Sequence, residues 1–450
     1  LKEQEHNSQI IMNIKIVNQN EAIQSLSLLS DEFVIIKNPD FIFPDFEVVP
    51  LARKILQPEK IVAAVMDMDG TTTTTEELCV ESLEFMVRKM SGLVTKDQWK
   101  GLDEKDYPNV IGNSTTKHVE YLINSYRNFL KKENTIKSFV ESVIWTLSIG
   151  KSEQRKNEVK DLLKSLSIEN YFQKFFNLKA ETIISEEEIQ KISNSISTLI
   201  NTDDTSALTK IGIEIYYQHY HQYLLSLSQG QSSSKRLIEP LPGVSITLSL
   251  IKGLLGEEAE NLTDNLISDF KRKNPKIEID FNHNEAKETL RKLGIYFEQN
   301  PIKIAVVTSS IFYEADIVLS EVFNQIKQEI LNWNISNQRR EKILEKFSSY
   351  QNFYDAIVTA TDAYEFRLKP HRDLYSIALH KLGISKEEFP NVIGFEDSQS
   401  GTIAIRTAGI GCCIAVPFPQ TKDHNLQAAS YILWNGLPEF VLKLKCLTKI

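Results

Sequence analysis

The feature that most constrains this chain is a set of short, continuous apolar runs that each stop at polar residues. Residues 61–66 read Ile-Val-Ala-Ala-Val-Met and end at Asp67. Runs of the same kind lie at 302–308, 356–359, 392–395, 411–416 and 431–434. A short apolar run without polar alternation fits a strand buried on both faces. Helical patterns separate several of the runs, for example at 374–382 and 401–408, and this alternation predicts a parallel sheet with helices on both faces. The expected fold class is therefore α/β, a Rossmann-like doubly wound parallel sheet. In such sheets ligands bind beyond the carboxyl ends of the strands, so the residues that end each run carry the functional question.

Between 76 and 239 no comparable strand series occurs. Apolar residues recur instead at helical spacing over 77–90, 118–132, 136–147, 156–166 and 211–227. This predicts a large all-helical domain, residues 76–239, inserted into a sheet domain made of 61–75 and 240–450. The polar stretch 229–235, Gln-Gly-Gln-Ser-Ser-Ser-Lys, suits a flexible return hinge. Two charged, helix-patterned insertions are expected at 253–284 and 322–349. Residues 1–60 alternate short apolar runs (14–17 and 33–36) with Asn, Pro and Asp, and read as an N-terminal extension packed on the core.

A net charge of -9 opposes an extended basic surface, so nucleic acid is not an expected partner. No stretch approaches the roughly 18 to 20 consecutive apolar residues that span a bilayer, so no membrane partner is expected either. The opening residues lack the charged-then-apolar order of a secretion signal. Of the four cysteines, Cys79, Cys412, Cys413 and Cys446, none shows a zinc-type spacing, and Cys412 and Cys413 sit in an apolar run as core thiols do. A cytoplasmic location is the expectation.

Asp67-Met68-Asp69-Gly70-Thr71 follows the first buried run. Side chains two apart in an extended segment point to the same side, so Asp67 and Asp69 are expected to converge at a strand tip. Gly70 permits a turn there, and Thr71 or another of the threonines up to Thr75 is placed to cap a helix beginning near Glu76. A carboxylate attacks an anionic phosphate only when a cation offsets the repulsion, and Mg²⁺ held by Asp67 and a second acid would do so. Asp69 is then available to protonate a leaving oxygen and afterwards to deprotonate water. A bare Asp-x-Asp also suits two solvated acids in a turn, so the downstream segments decide.

Those segments end other strands. Thr308, Ser309 and Ser310 offer hydroxyls and backbone N–H groups to phosphate oxygens. Lys369, before Pro370, can neutralise a phosphate and Asp67 together. Glu396 and Asp397 close another run and suit Mg²⁺, a hard cation that takes carboxylate oxygens. In this order the motifs resemble the haloacid dehalogenase-like hydrolases, in the branch of phosphatases and β-phosphoglucomutase-like enzymes with a helical cap. The matching stretches are DMDGT at 67–71, VVTSS at 306–310, LKPHRDLYSIALHKLGI at 368–384 and GFEDSQSGTIAIRTAGI at 394–410.

The resemblance implies a Mg²⁺-dependent phosphatase that acts on a small phosphorylated metabolite through an aspartyl-phosphate. Carried over by residue, Asp67 is the nucleophile, Asp69 the acid/base, Thr308 a phosphate binder and Lys369 the charge clamp. Gly70 and Ser309 join the phosphate contacts. Asp67, Asp69, Glu396 and Asp397 are the metal carboxylates. Residues 112–118 are similar to the family's specificity loop, making Thr116 and Lys117 substrate-binding candidates, while Ser114 and Thr115 equally suit a helix cap. Pro240 to Val244 looks like the return from the cap to the core. A phosphomutase needs the same acids, and a catalytically silent binding module is the reading from another class. His219 and His221 lie on different sides of a helix, which favours structural roles over a metal site.

Overall fold

The computed structural model describes residues 16–39, 42–111, 114–176, 185–231, 236–273, 282–418 and 421–443. The chain forms two compact units, Leu1–Arg53 and Lys54–Ile450. In the first unit the Gln19–Leu29 helix opens on a reciprocal cap, where Asn18 Oδ1 accepts from Glu21 N and Glu21 Oε2 accepts from Asn18 N, both at 3.0 Å. An antiparallel hairpin follows, β1 (Phe33–Lys37) with β2 (Phe46–Pro50), in the register Phe33 to Pro50. Residues 14 and 15 of the first apolar run, and Cys446 at the other end of the chain, lie outside the described residues.

The second unit is built on a parallel sheet whose strands are the predicted runs: β3 (Ala63–Asp67), β4 (Lys303–Val307), β5 (Ala356–Val358), β6 (Val392–Glu396), β7 (Cys412–Ala415) and β8 (Tyr431–Ile432). Their spatial order is β5-β4-β3-β6-β7-β8. β3 therefore lies between β4, where Asp67 pairs with Val307, and β6, where Met66 pairs with Phe395. The order of connection reverses at the β3–β6 junction, the place where open α/β sheets form a ligand crevice.

The burial pattern explains why the runs lack alternation. Ala63 and Val65 face one core layer with Ala305, Val307, Leu374 and Ile405, whereas Ala64 and Met66 face the other with Ile304, Val306, Ile393 and Phe395. Helices Asp373–Lys381 and Gln399–Thr407 cover the first face, and Val244–Ile251, His283–Gln299 and Phe312–Leu331 the second. Each large apolar side chain so enclosed contributes about 1.5–3 kcal/mol.

A helical region is inserted after β3. Its helices are Glu76–Ser91, Thr115–Ser125, Lys132–Ser148, Glu153–Ser165, Glu186–Ile196 and Thr205–Ser228, and the last of these packs against the first three. Chain entry and exit are bonded to one another. Thr74 Oγ1 donates to Leu237 O at 3.0 Å and accepts from Glu239 N at 2.9 Å, while Leu241 N donates to Thr72 O at 3.1 Å. Of the proposed hinge at 229–235, residues 232–235 lie outside the described residues, as do 274–281 of the first core insertion. The second core insertion continues the Phe312–Leu331 helix and adds Asn337–Lys346. Among the described residues no helix is long and apolar enough to cross a membrane.

Candidate active site

Topology gathers three predicted side chains at one sheet edge. Asp67 ends β3, Glu396 ends β6, and Lys369 arrives from the loop beyond β5. Lys369 Nζ donates to Asp67 Oδ1 and, at 2.6 Å, to Glu396 Oε1, with all three side chains buried. Glu396 is saturated by further donors: Tyr375 Oη at 3.2 Å, Asp397 N at 2.9 Å, Ser398 N at 3.0 Å and Ser398 Oγ at 2.9 Å. It fixes the lysine and the turn that presents Asp397. Ser398 Oγ also accepts from Gly401 N and so caps the following helix.

Two carboxyl oxygens at this edge have no partner. Asp67 Oδ2 and Asp397 Oδ2 are buried without a hydrogen bond, and Asp67, Glu396 and Asp397 offer oxygens within 4.8 Å of one another. Burial raises the pKa of Asp67, with Lys369 opposing it and Glu396 adding to it. Burial followed by the charges of Glu396 and Asp67 raises Asp397. Buried carboxylate oxygens without donors call for a proton or a cation, and a hard divalent cation fits this oxygen set. Gly70 makes the crowding possible: its φ is +78°, and a Cβ there would stand 2.6 Å from Asp397 Oδ2.

Asp69 departs from expectation. Its Oδ1 accepts from Thr75 Oγ1, and its Oδ2 accepts from Thr308 Oγ1 at 2.7 Å and Ser310 Oγ at 3.3 Å. Three hydroxyls hold both oxygens, so its side chain lies outside the carboxylate triplet, which corrects its expected place among the metal ligands. The expected threonine cap is corrected too. Thr75 stands at the N-cap of Glu76–Ser91 but makes no cap hydrogen bond, because its hydroxyl goes to a carboxylate, the stronger acceptor. Thr71 is buried with its hydroxyl unpartnered. Thr308, 1% exposed, gives its proton to Asp69 and accepts from Ser310 N at 2.9 Å.

A cavity of about 460 Å³ opens over these groups. From the sheet side it is lined by Asp67, Asp69, Ser309, Ser310, Lys369 and Asp397, and from the inserted helices by Ser114, Thr115, Thr116, His118, Arg155 and Tyr216 among others. Of the loop at 112–118, Gly112 and Asn113 lie outside the described residues. Lys117 is exposed and does not line the cavity, a correction to its expected substrate contact. Successive helical residues are turned by about 100°, and here that turn buries His118 while sending Lys117 to solvent.

Several cavity residues escaped the motif reading. Glu76 lines the wall beside the carboxylates, and Tyr216, Tyr217 and Tyr220 form an aromatic wall on the Thr205–Ser228 helix. Arg155 is buried, donates to Glu214 Oε1 at 2.6 Å and to Glu158, and lies 4.1 Å over the Tyr217 ring. The signal available for Arg155 was its place on the same helical stripe as buried Val159 and Leu163. His221 Nε2 meets Glu314 Oε1 at 2.8 Å, tying the Thr205–Ser228 helix to the Phe312–Leu331 helix, while His219 Nδ1 pairs with Ser82 Oγ at 3.1 Å. Neither histidine belongs to the carboxylate triplet.

No family model matches the chain, and no curated protein matches its sequence. Solved structures do. CbbY from Rhodobacter sphaeroides in complex with phosphate is 14% identical, with a TM-score of 0.39 and coverage of 85% of this chain and 100% of that one. HAD hydrolase, family IA, variant 3 from Entamoeba histolytica is 15% identical, with a TM-score of 0.34 and coverage of 83% and 93%. A β-phosphoglucomutase from Clostridium difficile is 13% identical, with a TM-score of 0.31 and coverage of 83% and 90%. In the order of its motifs, at 67–71, 306–310, 368–384 and 394–410, the chain resembles the haloacid dehalogenase-like hydrolases.

Proposed function

We propose that the protein is a Mg²⁺-dependent phosphatase of small phosphorylated metabolites, with residues 76–239 acting as the cap over its site. The observation that carries this reading is the pair of unpartnered buried oxygens, Asp67 Oδ2 and Asp397 Oδ2, beside Lys369 at the floor of the cavity. Asp67 and Asp397 would hold the cation, with Glu396 fixing Lys369 between itself and Asp67. When bound, Mg²⁺ supplies positive charge that lets a carboxylate approach an anionic phosphate.

Asp67 attacks phosphorus, the phosphorus–oxygen bond to the organic group breaks, and Asp69 delivers a proton to the departing oxygen. Water then attacks the aspartyl-phosphate and gives its proton to Asp69, restoring Asp67 and releasing phosphate. The hydroxyls of Thr75, Thr308 and Ser310 keep Asp69 in place for both transfers. Ser309 and Ser310 face the cavity, where they can receive phosphate oxygens, and cap closure over the site excludes bulk water.

The test is Asp67→Asn in the full chain with Mg²⁺, assayed by phosphate release. Turnover should fall at least about a thousandfold, with the circular dichroism spectrum and oligomeric state unchanged. Sustained Mg²⁺-dependent turnover in that variant would remove Asp67 as the nucleophile.

A further inference from the structure

Two polar side chains on the cavity wall are enclosed and unused by the protein itself. Glu76 lines the cavity from the first turn of the Glu76–Ser91 helix, and among the described residues its carboxyl makes no hydrogen bond or ion pair. Tyr220 lines the cavity from the Thr205–Ser228 helix and is 5% exposed, and its hydroxyl likewise has no partner among the described residues. The Tyr220 ring packs on that of Tyr216, with centroids 5.7 Å apart. Other acids of this wall are already paired, Glu158 with Arg155 and Glu314 with His221.

Both groups stand close to Asp69. Thr75, the residue before Glu76, bonds the Asp69 carboxylate, and after burial the Asp69 charge contributes most to raising the Glu76 carboxyl. Burial, followed by the charges of Glu314 and Asp69, raises the Tyr220 phenol, so that it keeps its proton. Such charge effects fall off with distance, which places both side chains beside the group that serves the ester oxygen.

Enclosing a polar group without a partner is unfavourable. Glu76 can accept a hydrogen bond in either protonation state, and the Tyr220 hydroxyl can donate one. An acceptor next to a donor is complementary to a group that both donates and accepts, as a hydroxyl does. An ammonium only donates and leaves the Tyr220 proton unmatched, and a methyl does neither.

We propose that Glu76 and Tyr220 select substrates whose alcohol part carries a free hydroxyl close to the ester oxygen, a hydroxyl that donates to Glu76 and accepts from Tyr220. This inference rests on the phosphatase reading of the same cavity. The two residues bind the departing part of the substrate, while the proton transfers stay with Asp69.

The experiment uses the full chain with Mg²⁺ and three phosphate esters that differ only in a terminal hydroxyl, ammonium or methyl: 2-hydroxyethyl phosphate, 2-aminoethyl phosphate and n-propyl phosphate. p-Nitrophenyl phosphate reports the chemistry alone. The hydroxyl ester should show a kcat/KM at least about tenfold above either of the others, because the analogues leave wall groups unpaired. Tyr220→Phe and Glu76→Ala should each shrink the hydroxyl-to-methyl ratio by about threefold or more. Glu76→Gln, whose amide oxygen still accepts, should keep more of the ratio than Glu76→Ala. Tyr220→Phe removes a single oxygen and carries the test alone should Glu76→Ala fail to fold. Equal turnover of the three esters, with p-nitrophenyl phosphate hydrolysed, overturns the inference and leaves the phosphatase reading standing. A preference for 2-aminoethyl phosphate overturns it in favour of cation recognition. A wild-type ratio in folded variants removes Glu76 and Tyr220 as its source. If none of the four esters is hydrolysed, the phosphatase reading fails and this inference falls with it.

Discussion

Thr75 occupies the N-cap position of the Glu76–Ser91 helix, yet its hydroxyl bonds the Asp69 carboxylate and leaves the helix backbone without a side-chain cap. The helix start is thereby joined to the proposed acid/base. Thr75→Val should lower kcat by about tenfold or more, as expected for losing a hydrogen bond to a charged group of roughly 1.5–3 kcal/mol. Thr75→Ser should restore most of it. The melting temperature should fall together with kcat, since the lost hydrogen bond to Asp69 also contributes to stability. A clear drop in melting temperature with unaltered kcat would return Thr75 to an ordinary capping role.

The pair of unpartnered oxygens on Asp67 and Asp397 makes a prediction independent of turnover. Mg²⁺ should stabilise the folded protein with the logarithm of its concentration over Kd, by about 2.7 kcal/mol at a hundredfold excess, and raise the melting temperature accordingly. Asp397→Asn should abolish that rise, since the amide offers one neutral oxygen in place of a carboxylate. A metal-free protein should also gain stability from this substitution, because a buried charge has been removed. Calorimetry with and without chelator measures both effects.

Burial, reinforced by the charges of Asp69 and Glu396, pushes the Glu76 carboxyl up to about 8 from its ordinary 4.5. The folded chain then holds a proton that the unfolded chain has already lost between those values. Stability from this group is fully present below about pH 4.5 and declines as pH rises through 8. Asp67 and Asp397, raised in the same direction, add to the slope. In chelator the melting temperature should fall across this window, and Glu76→Gln should flatten part of the fall. Mg²⁺ should flatten more, because a cation favours the ionised forms of Asp67 and Asp397. Identical slopes in the wild-type and Glu76→Gln proteins would show that Glu76 does not carry the effect.

The sheet was legible because buried parallel strands have no polar alternation to blur them, and each run ended within two residues of its strand's end. Lys369 was readable as a partner of Asp67 only through the motif order, since 302 residues separate them and the fold alone joins them. The direction of Asp69 could not be read, because it depends on hydroxyls from Thr75, Thr308 and Ser310 meeting in space. The Gln19–Leu29 helix had a readable start in Asn18 and Glu21, spaced as a reciprocal cap, but its residues show no strong apolar stripe. Arg155 was hidden for the opposite reason: a charged residue on an apolar stripe reads as noise until its two carboxylate partners are found.

The bonded crossing of Thr72–Thr74 with residues 237–241 bears on how such a chain can change over time. Because departure and return are neighbours, the sheet meets the whole helical excursion as a short closed stitch. Lengthening a loop closed in this way costs little, only about 0.6 kcal/mol for each doubling. The upper wall is in that sense an exchangeable module, free to be enlarged or re-lined while the chemistry beneath it keeps its frame.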